Sequence, residues 1–115
     1  MDISAFNKWY RLDSVAVRDI PEHGDFVYIF RKCSTKEIIY IGSTADLRRR
    51  LFGNYIGGVG GRTTKRIHAL LFEEGAKTDT EVAWKKVPNY KLEEKHLLQV
   101  YFEKEGHLPI WNKRF

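Results

Sequence analysis

Two short runs rich in aromatic and β-branched residues, Phe26 to Phe30 and Ile38 to Ile41, flank the polar segment Arg31-Lys32-Cys33-Ser34-Thr35-Lys36-Glu37. Such a pattern reads as an antiparallel hairpin with a loop of several residues. Side chains alternate along a strand, so Phe26, Tyr28 and Phe30 share one face and Val27 and Ile29 the other. The partner run sets Ile38 and Tyr40 opposite Ile39 and Ile41. A register that pairs Tyr28 with Tyr40 brings both phenols out on one side of the sheet, whereas a slip of one residue separates them.

With 115 residues the chain fits a single domain over 1–115, large enough for a core of its own but not for two. No apolar run approaches bilayer-spanning length, and the N-terminal residues lack the basic-then-apolar pattern of a secretory signal. The single cysteine, Cys33, has no second thiol to pair with, so the expected compartment is a reducing cytoplasm, with no membrane attachment. The net charge is +5, and its distribution says more than its size. Residues 1–25, an N-terminal extension packing on the core, carry three basic groups against five acidic ones; the remainder carries 17 against 10. That basic remainder suits a polyanionic partner.

Ile3, Phe6, Trp9, Tyr10 and Leu12 lie close to helical spacing and predict a short element laid over the core. The stretch from Asp19 to Asp25 holds Pro21 and Gly24 and is a loop. After Gly42, Ser43 or Thr44 can cap a helix start, with Asp46 completing a capping box. On that helix Arg50 borders the face turned to the core, beside Leu47 and Leu51, while Arg48 and Arg49 turn to solvent or phosphate. Gly53, Gly57, Gly58, Gly60 and Gly61 mark a flexible loop flanking a substrate groove. The following helix, about Thr63 to Glu74, carries Arg62, Lys65 and Arg66 as further nucleic-acid contacts; His68 reads as a partly buried histidine.

Thr80 to Val87 predicts a third strand with Val82 and Trp84 inward, closed by Pro88. A long helix follows from about Tyr90 to Glu105. With Leu97 set at zero and about 100° per residue, Tyr90 falls near 20°, Tyr101 near 40° and Glu94 near 60°. Glu94 thus interrupts the apolar stripe, and a carboxylate there must find a cation, a hydrogen-bond donor or a proton.

Two phenols on a sheet, an arginine from one helix and a carboxylate from another form a set suited to phosphodiester hydrolysis. Arginine supplies fixed donors for the non-bridging oxygens, and a glutamate can hold one Mg²⁺ or Mn²⁺ ion that assists the leaving oxygen. A tyrosine is a poor base at its ordinary pKa of about 10 unless a cation stands close.

The spacing of Phe26-Val27-Tyr28 and Tyr40-Ile41-Gly42 resembles the signature of the GIY-YIG nuclease superfamily, although the first tripeptide lacks its opening glycine. The resemblance extends from residue 26 to 112. Arg50 stands ten residues after Tyr40, as the family's catalytic arginine does; Glu94 precedes Leu97-Leu98 as its metal ligand does. Pro109-Ile110-Trp111-Asn112 matches its closing Pro-x-x-Asn. Many members carry a histidine or tyrosine about four residues after the arginine, where this chain has Asn54 with Tyr55 adjacent. Some carry a lysine where Ser43 stands. The resemblance implies catalytic roles for Tyr28, Tyr40, Arg50, Glu94 and Asn112, with Asn112 folding back to hydrogen-bond the site. Candidates for the base are Tyr40, then Tyr28, then Tyr55.

The expected fold is α+β, a three-stranded antiparallel sheet flanked by helices in the order β-β-α-α-β-α, with the motif-bearing core over 26–112. The expected activity is metal-dependent endonucleolytic cleavage of DNA to a 5′-phosphate and a 3′-hydroxyl; whether the DNA is branched, damaged, single-stranded or duplex stays open, as does RNA as a target. Two other readings are a non-catalytic nucleic-acid-binding module of the same fold and a protein-interaction domain using Trp9, Trp84 and Trp111.

Overall fold

The computed structural model describes residues 3–115. Its central strand is β2 (Phe26–Lys32), paired antiparallel with β3 (Ile38–Thr44) on one side and β4 (Thr80–Lys86) on the other. The first five residues of β2 are all buried, as befits a strand covered on both faces. A two-residue strand, β1 (Tyr10–Arg11), pairs with β4, so the order across the sheet is β1-β4-β2-β3.

The class is α+β as expected, but the sheet has four strands rather than three. The added strand comes from the segment expected to be helical, and residues 3–12 contain no helix. Without it β4 would present an open edge. Instead the Asn7 N–H donates to the Trp84 carbonyl at 3.1 Å, and the Leu12 N–H donates to the Thr80 carbonyl at 2.9 Å. The Asn7 side chain in turn accepts the Trp84 N–H at 2.6 Å. The apolar residues of this segment divide between the two faces: Ile3, Phe6 and Trp9 join one cluster, Tyr10 and Leu12 the other. Tyr10 stacks on Trp84, ring centres 5.1 Å apart. Serving both sides of a sheet edge produces a spacing that imitates a helix stripe.

The hairpin register pairs Tyr28 with Gly42 and Phe30 with Tyr40, two residues away from the expected Tyr28–Tyr40 pairing. An even offset preserves facing, so both phenols still emerge on one side. The Tyr28 ring lies directly over Gly42, where any Cβ would overlap its phenol. Glycine at this position is therefore dictated by the tyrosine across from it.

Helices cover both faces. On the phenol side lie a π-helix (Arg49–Ile56), contributing Leu51 and Tyr55, and α1 (Arg62–Phe72), contributing Ile67 and Leu71. On the opposite side α2 (Tyr90–Glu105) buries Leu97, Leu98 and Tyr101 against Val27, Ile29 and Ile41. It begins where the Asn89 side chain accepts the Leu92 N–H at 3.1 Å and stops at Gly106, whose φ of 79° suits glycine.

The segment after β3 departs from expectation. Thr44 still belongs to the strand, and Asp46 is the cap, its carboxylate accepting the Arg49 N–H at 3.1 Å. The helix then widens and runs through Gly53, ending with the Gly57 N–H on the carbonyl of Phe52, five residues back, at 2.8 Å. Only the later glycines form a loop, and Asn54 Nδ2 pins it by donating to the Val59 carbonyl at 2.6 Å. Among the described residues no helix is long and apolar enough to cross a membrane.

Gly42→Ala must expel the Tyr28 ring from its place, and overpacking of this kind costs about 1–3 kcal/mol or more. Urea unfolding should show a loss of at least about 2 kcal/mol. Gly61→Ala, where an added Cβ meets nothing within 4 Å, should stay within about 0.5 kcal/mol of the parent.

Candidate active site

Three phenols meet on the face covered by the π-helix and α1. Tyr28 and Tyr55 share a hydrogen bond at 2.6 Å, and the Tyr55 hydroxyl donates to that of Tyr40 at 3.5 Å. Tyr28 and Tyr55 are 1% and 0% exposed, and Tyr40 8%. Burial pushes the Tyr28 and Tyr40 hydroxyls well above the ordinary phenol range, each further raised by Tyr55. Of the three, Tyr40 alone lines the groove described below.

Tyr55 enters this cluster because of the π-helix. Where the ladder runs to the fifth residue, positions five apart stand above one another, so Tyr55 shares the side of Arg50. An α-helical count puts Asn54 there and leaves Tyr55 turned aside. Asn54 instead secures the following loop, and His68 Nδ1 contacts the Tyr55 carbonyl at 2.9 Å.

Arg50 is half-buried, and its Nε is a buried donor with no hydrogen-bond partner among the described residues. Burial alone would lower its pKa, but the neighbouring Tyr28, Tyr55 and Tyr40 outweigh that and raise it. The guanidinium stays charged. It lines a hollow of about 310 Å³ with Arg49, Asn54 and Tyr90, while its charge acts on both the phenols and Glu94.

Glu94 projects from α2, on the opposite side of the sheet from the phenols. It reaches the site at the free edge of β3, where the Ser43 hydroxyl donates to its Oε1 at 2.8 Å. Burial raises its carboxyl above the usual range, and Ser43 and Arg50 offset this only in part. The site therefore straddles an edge strand. A groove of about 590 Å³ is lined by Tyr40 and Glu94, by Arg62 and Arg66 of α1, and by Lys113 and Arg114.

Asn112 clasps that same strand edge. Its Oδ1 accepts the Ile41 N–H and its Nδ2 donates to the Ile41 carbonyl, both at 3.0 Å, and the Trp111 N–H reaches the Ile39 carbonyl at 2.9 Å. The side-chain amide thus bonds the main chain beside Tyr40 instead of the reacting groups.

The expected nucleic-acid contacts divide. Arg62 and Arg66 line the groove and Arg49 the second hollow, whereas exposed Lys65 lines neither. Arg48 is tied down, Nε donating to the Ile20 carbonyl at 2.7 Å and Nη1 to Glu22 at 3.1 Å. It fastens the N-terminal segment to the site helix through two of its three guanidinium nitrogens. Sequence reading gave Ser43 no part in holding Glu94 and passed over Lys113 and Arg114. The last two directly follow the Pro-x-x-Asn segment, whose return to β3 would have brought them to the site.

Among the described residues no group of three or more His, Cys, Asp or Glu could hold a metal ion. Mg²⁺ and Mn²⁺ need no such group, since one carboxylate plus water and substrate phosphate is enough for them. Glu94 is a half-buried carboxylate that lines the groove.

No curated protein and no solved structure matches the chain. The family model of the GIY-YIG catalytic domain matches residues 25–105, a span that contains the hairpin, the phenol cluster, Arg50 and Glu94. The chain belongs to the GIY-YIG family, a family of nucleases.

Proposed function

We propose that this protein is a metal-dependent endonuclease that hydrolyses DNA phosphodiester bonds, leaving a 5′-phosphate and a 3′-hydroxyl. The observation that carries this reading is one carboxylate, Glu94, sharing a groove with the Tyr40 phenol and four cationic side chains. Such a groove attracts a polyanion and concentrates it where Glu94 and Tyr40 lie.

Glu94 would hold the single Mg²⁺ or Mn²⁺ ion, which supplies Lewis-acid assistance to the departing 3′ oxygen. Ser43 keeps one carboxylate oxygen fixed for that task. Arg50, charged and with an unpaired Nε, offers donors to the phosphate's non-bridging oxygens as negative charge develops there. Tyr40, the groove-lining phenol, orients the attacking water by a hydrogen bond; burial keeps its own hydroxyl protonated, so the water's proton passes to bulk water through the open groove. Tyr55 and Tyr28 form a hydrogen-bonded chain behind it, through which the Tyr40 hydroxyl is aimed. Asn112 and Tyr55 are positioning residues: one fixes the strand that carries Tyr40, the other its hydroxyl.

Plasmid nicking in Mg²⁺ or Mn²⁺, abolished by EDTA, tests the activity directly. Glu94→Ala and Arg50→Ala should each lose at least about 10²-fold in rate, as should Tyr40→Phe. If no metal supports nicking while salt-sensitive DNA binding persists, the domain is a binding module and the catalytic reading fails. Tyr55→Phe keeps the ring but loses the hydroxyl, so kcat should fall about tenfold with KM unchanged.

Glu94 also predicts a stability signature independent of turnover. Its carboxyl binds a proton more tightly folded than unfolded, so ionising it works against the fold. The metal-free protein should lose stability as pH rises from the ordinary carboxylate range through the raised folded pKa. Glu94→Gln should therefore melt higher than the parent at neutral pH and alike at acidic pH. Adding Mg²⁺ or Mn²⁺ should raise the melting temperature of the parent and not of the variant. Metal-free melting curves that coincide at neutral pH would count against the buried-carboxylate account.

A further inference from the structure

Beyond the matched family span, the last residues return to the site and supply half of the groove's cations. Trp111 and Asn112 anchor the segment to β3 by three hydrogen bonds. Lys113, Arg114 and Phe115 then line the groove facing the same cavity as Arg62 and Arg66. None of these four cations makes an ion pair among the described residues. Phe115 is 49% exposed. Its ring neighbour among the described residues is Phe102 of α2, met at a steep angle of 61° with centres 5.4 Å apart. An edge-type contact steadies a ring and covers at most one of its two faces, leaving the other free of that contact.

We propose that Lys113, Arg114 and Phe115 form, with Arg62 and Arg66, a track for an unpaired DNA strand, in which Phe115 stacks on one base near the phosphate at Tyr40 and Glu94. Paired bases keep their faces stacked within the duplex, so an open aromatic ring in a basic groove recognises a nucleotide only when its base is free. The cations meet the backbone phosphates of that strand without regard to sequence. The groove's 590 Å³ falls in the usual range of about 300–1,000 Å³ for cavities that hold a molecule of nucleotide size. The substrate class is therefore DNA that is single-stranded at the point of cleavage, such as a flap, a gap or a frayed junction. This deepens the nuclease reading and rests on it for the identity of the groove.

Binding in EDTA separates the two. With the full chain, anisotropy is measured for a labelled oligothymidylate and for a blunt hairpin duplex. Phe115→Ala should weaken oligothymidylate binding by about 5- to 150-fold, the worth of one base stacked on an aromatic ring, and leave the duplex within about twofold. Phe115→Trp should restore it. Lys113→Ala and Arg114→Ala should weaken both probes, and each should lower the salt slope by about one. Unchanged oligothymidylate affinity in Phe115→Ala, or an equal loss on both probes, would overturn the track. Phe115-dependent binding in a protein that never cleaves would sink the nuclease reading and leave the track standing. Cleavage that persists while Phe115→Ala binds normally would do the reverse.

Discussion

The pairing of Tyr28 with Gly42 is the contact on which the site depends. It fixes the register of the hairpin, and with it the side of the sheet on which Tyr40 emerges. It also makes room for a phenol over a strand with no side chain of its own, sending the Tyr28 hydroxyl across to Tyr55. A cross-strand pair usually stabilises a sheet through two side chains meeting. Here one side chain occupies the space of both, and its polar end has been carried deep into the core. That end requires a partner there, and only a helix that widens at the right place can bring one.

Burial of this polar cluster is balanced on the other side by exposure at the edge. Strand β3 is the last in the sheet, and an open edge is ordinarily a hazard. The protein closes it with different groups along its length: Asn112 imitates a strand at Ile41, and Glu94 takes the Ser43 hydroxyl further on. Because the edge is where the two faces of the sheet meet, a carboxylate reaching round from α2 and the Tyr40 phenol, which emerges on the other face, can line the same groove. A site on one face alone would have only one of them.

Legibility in the sequence followed the strength of local signals. The last helix was readable to its ends, since Asn89 and Gly106 cap it and its stripe is long. Glu94 stood out as the charge that breaks that stripe. The facing of Tyr28 and Tyr40 survived an error in register because alternation depends only on parity. The edge strand was missed because Ile3, Phe6 and Trp9 serve one face and Tyr10 and Leu12 the other, a division that mimics a helix. Tyr55 ranked only third among the candidate bases because the family's spacing, four residues after the arginine, falls on Asn54, and the π-helix that brings the fifth residue round is not legible from that spacing. The contacts of Arg48 were out of reach of local reading for a related reason: a segment distant in sequence meets it at Ile20 and Glu22 and takes two of its nitrogens.

The electrostatics of the site point the same way as its geometry. A core selected for stability alone would neither leave the Arg50 Nε without a partner nor hold a carboxyl where burial outweighs the groups that stabilise its charge. Each feature is unfavourable in the free protein and becomes favourable when complementary charge arrives: anionic oxygens for the guanidinium, a cation for the carboxylate. A phosphodiester with its metal ion carries both in one ligand. The two unmet needs lie close enough for each charge to act on the other, so satisfying one without the other would leave the remainder worse placed than before. Substrate and ion are thus expected to bind as a unit, with the fold supplying the register that makes the unit fit.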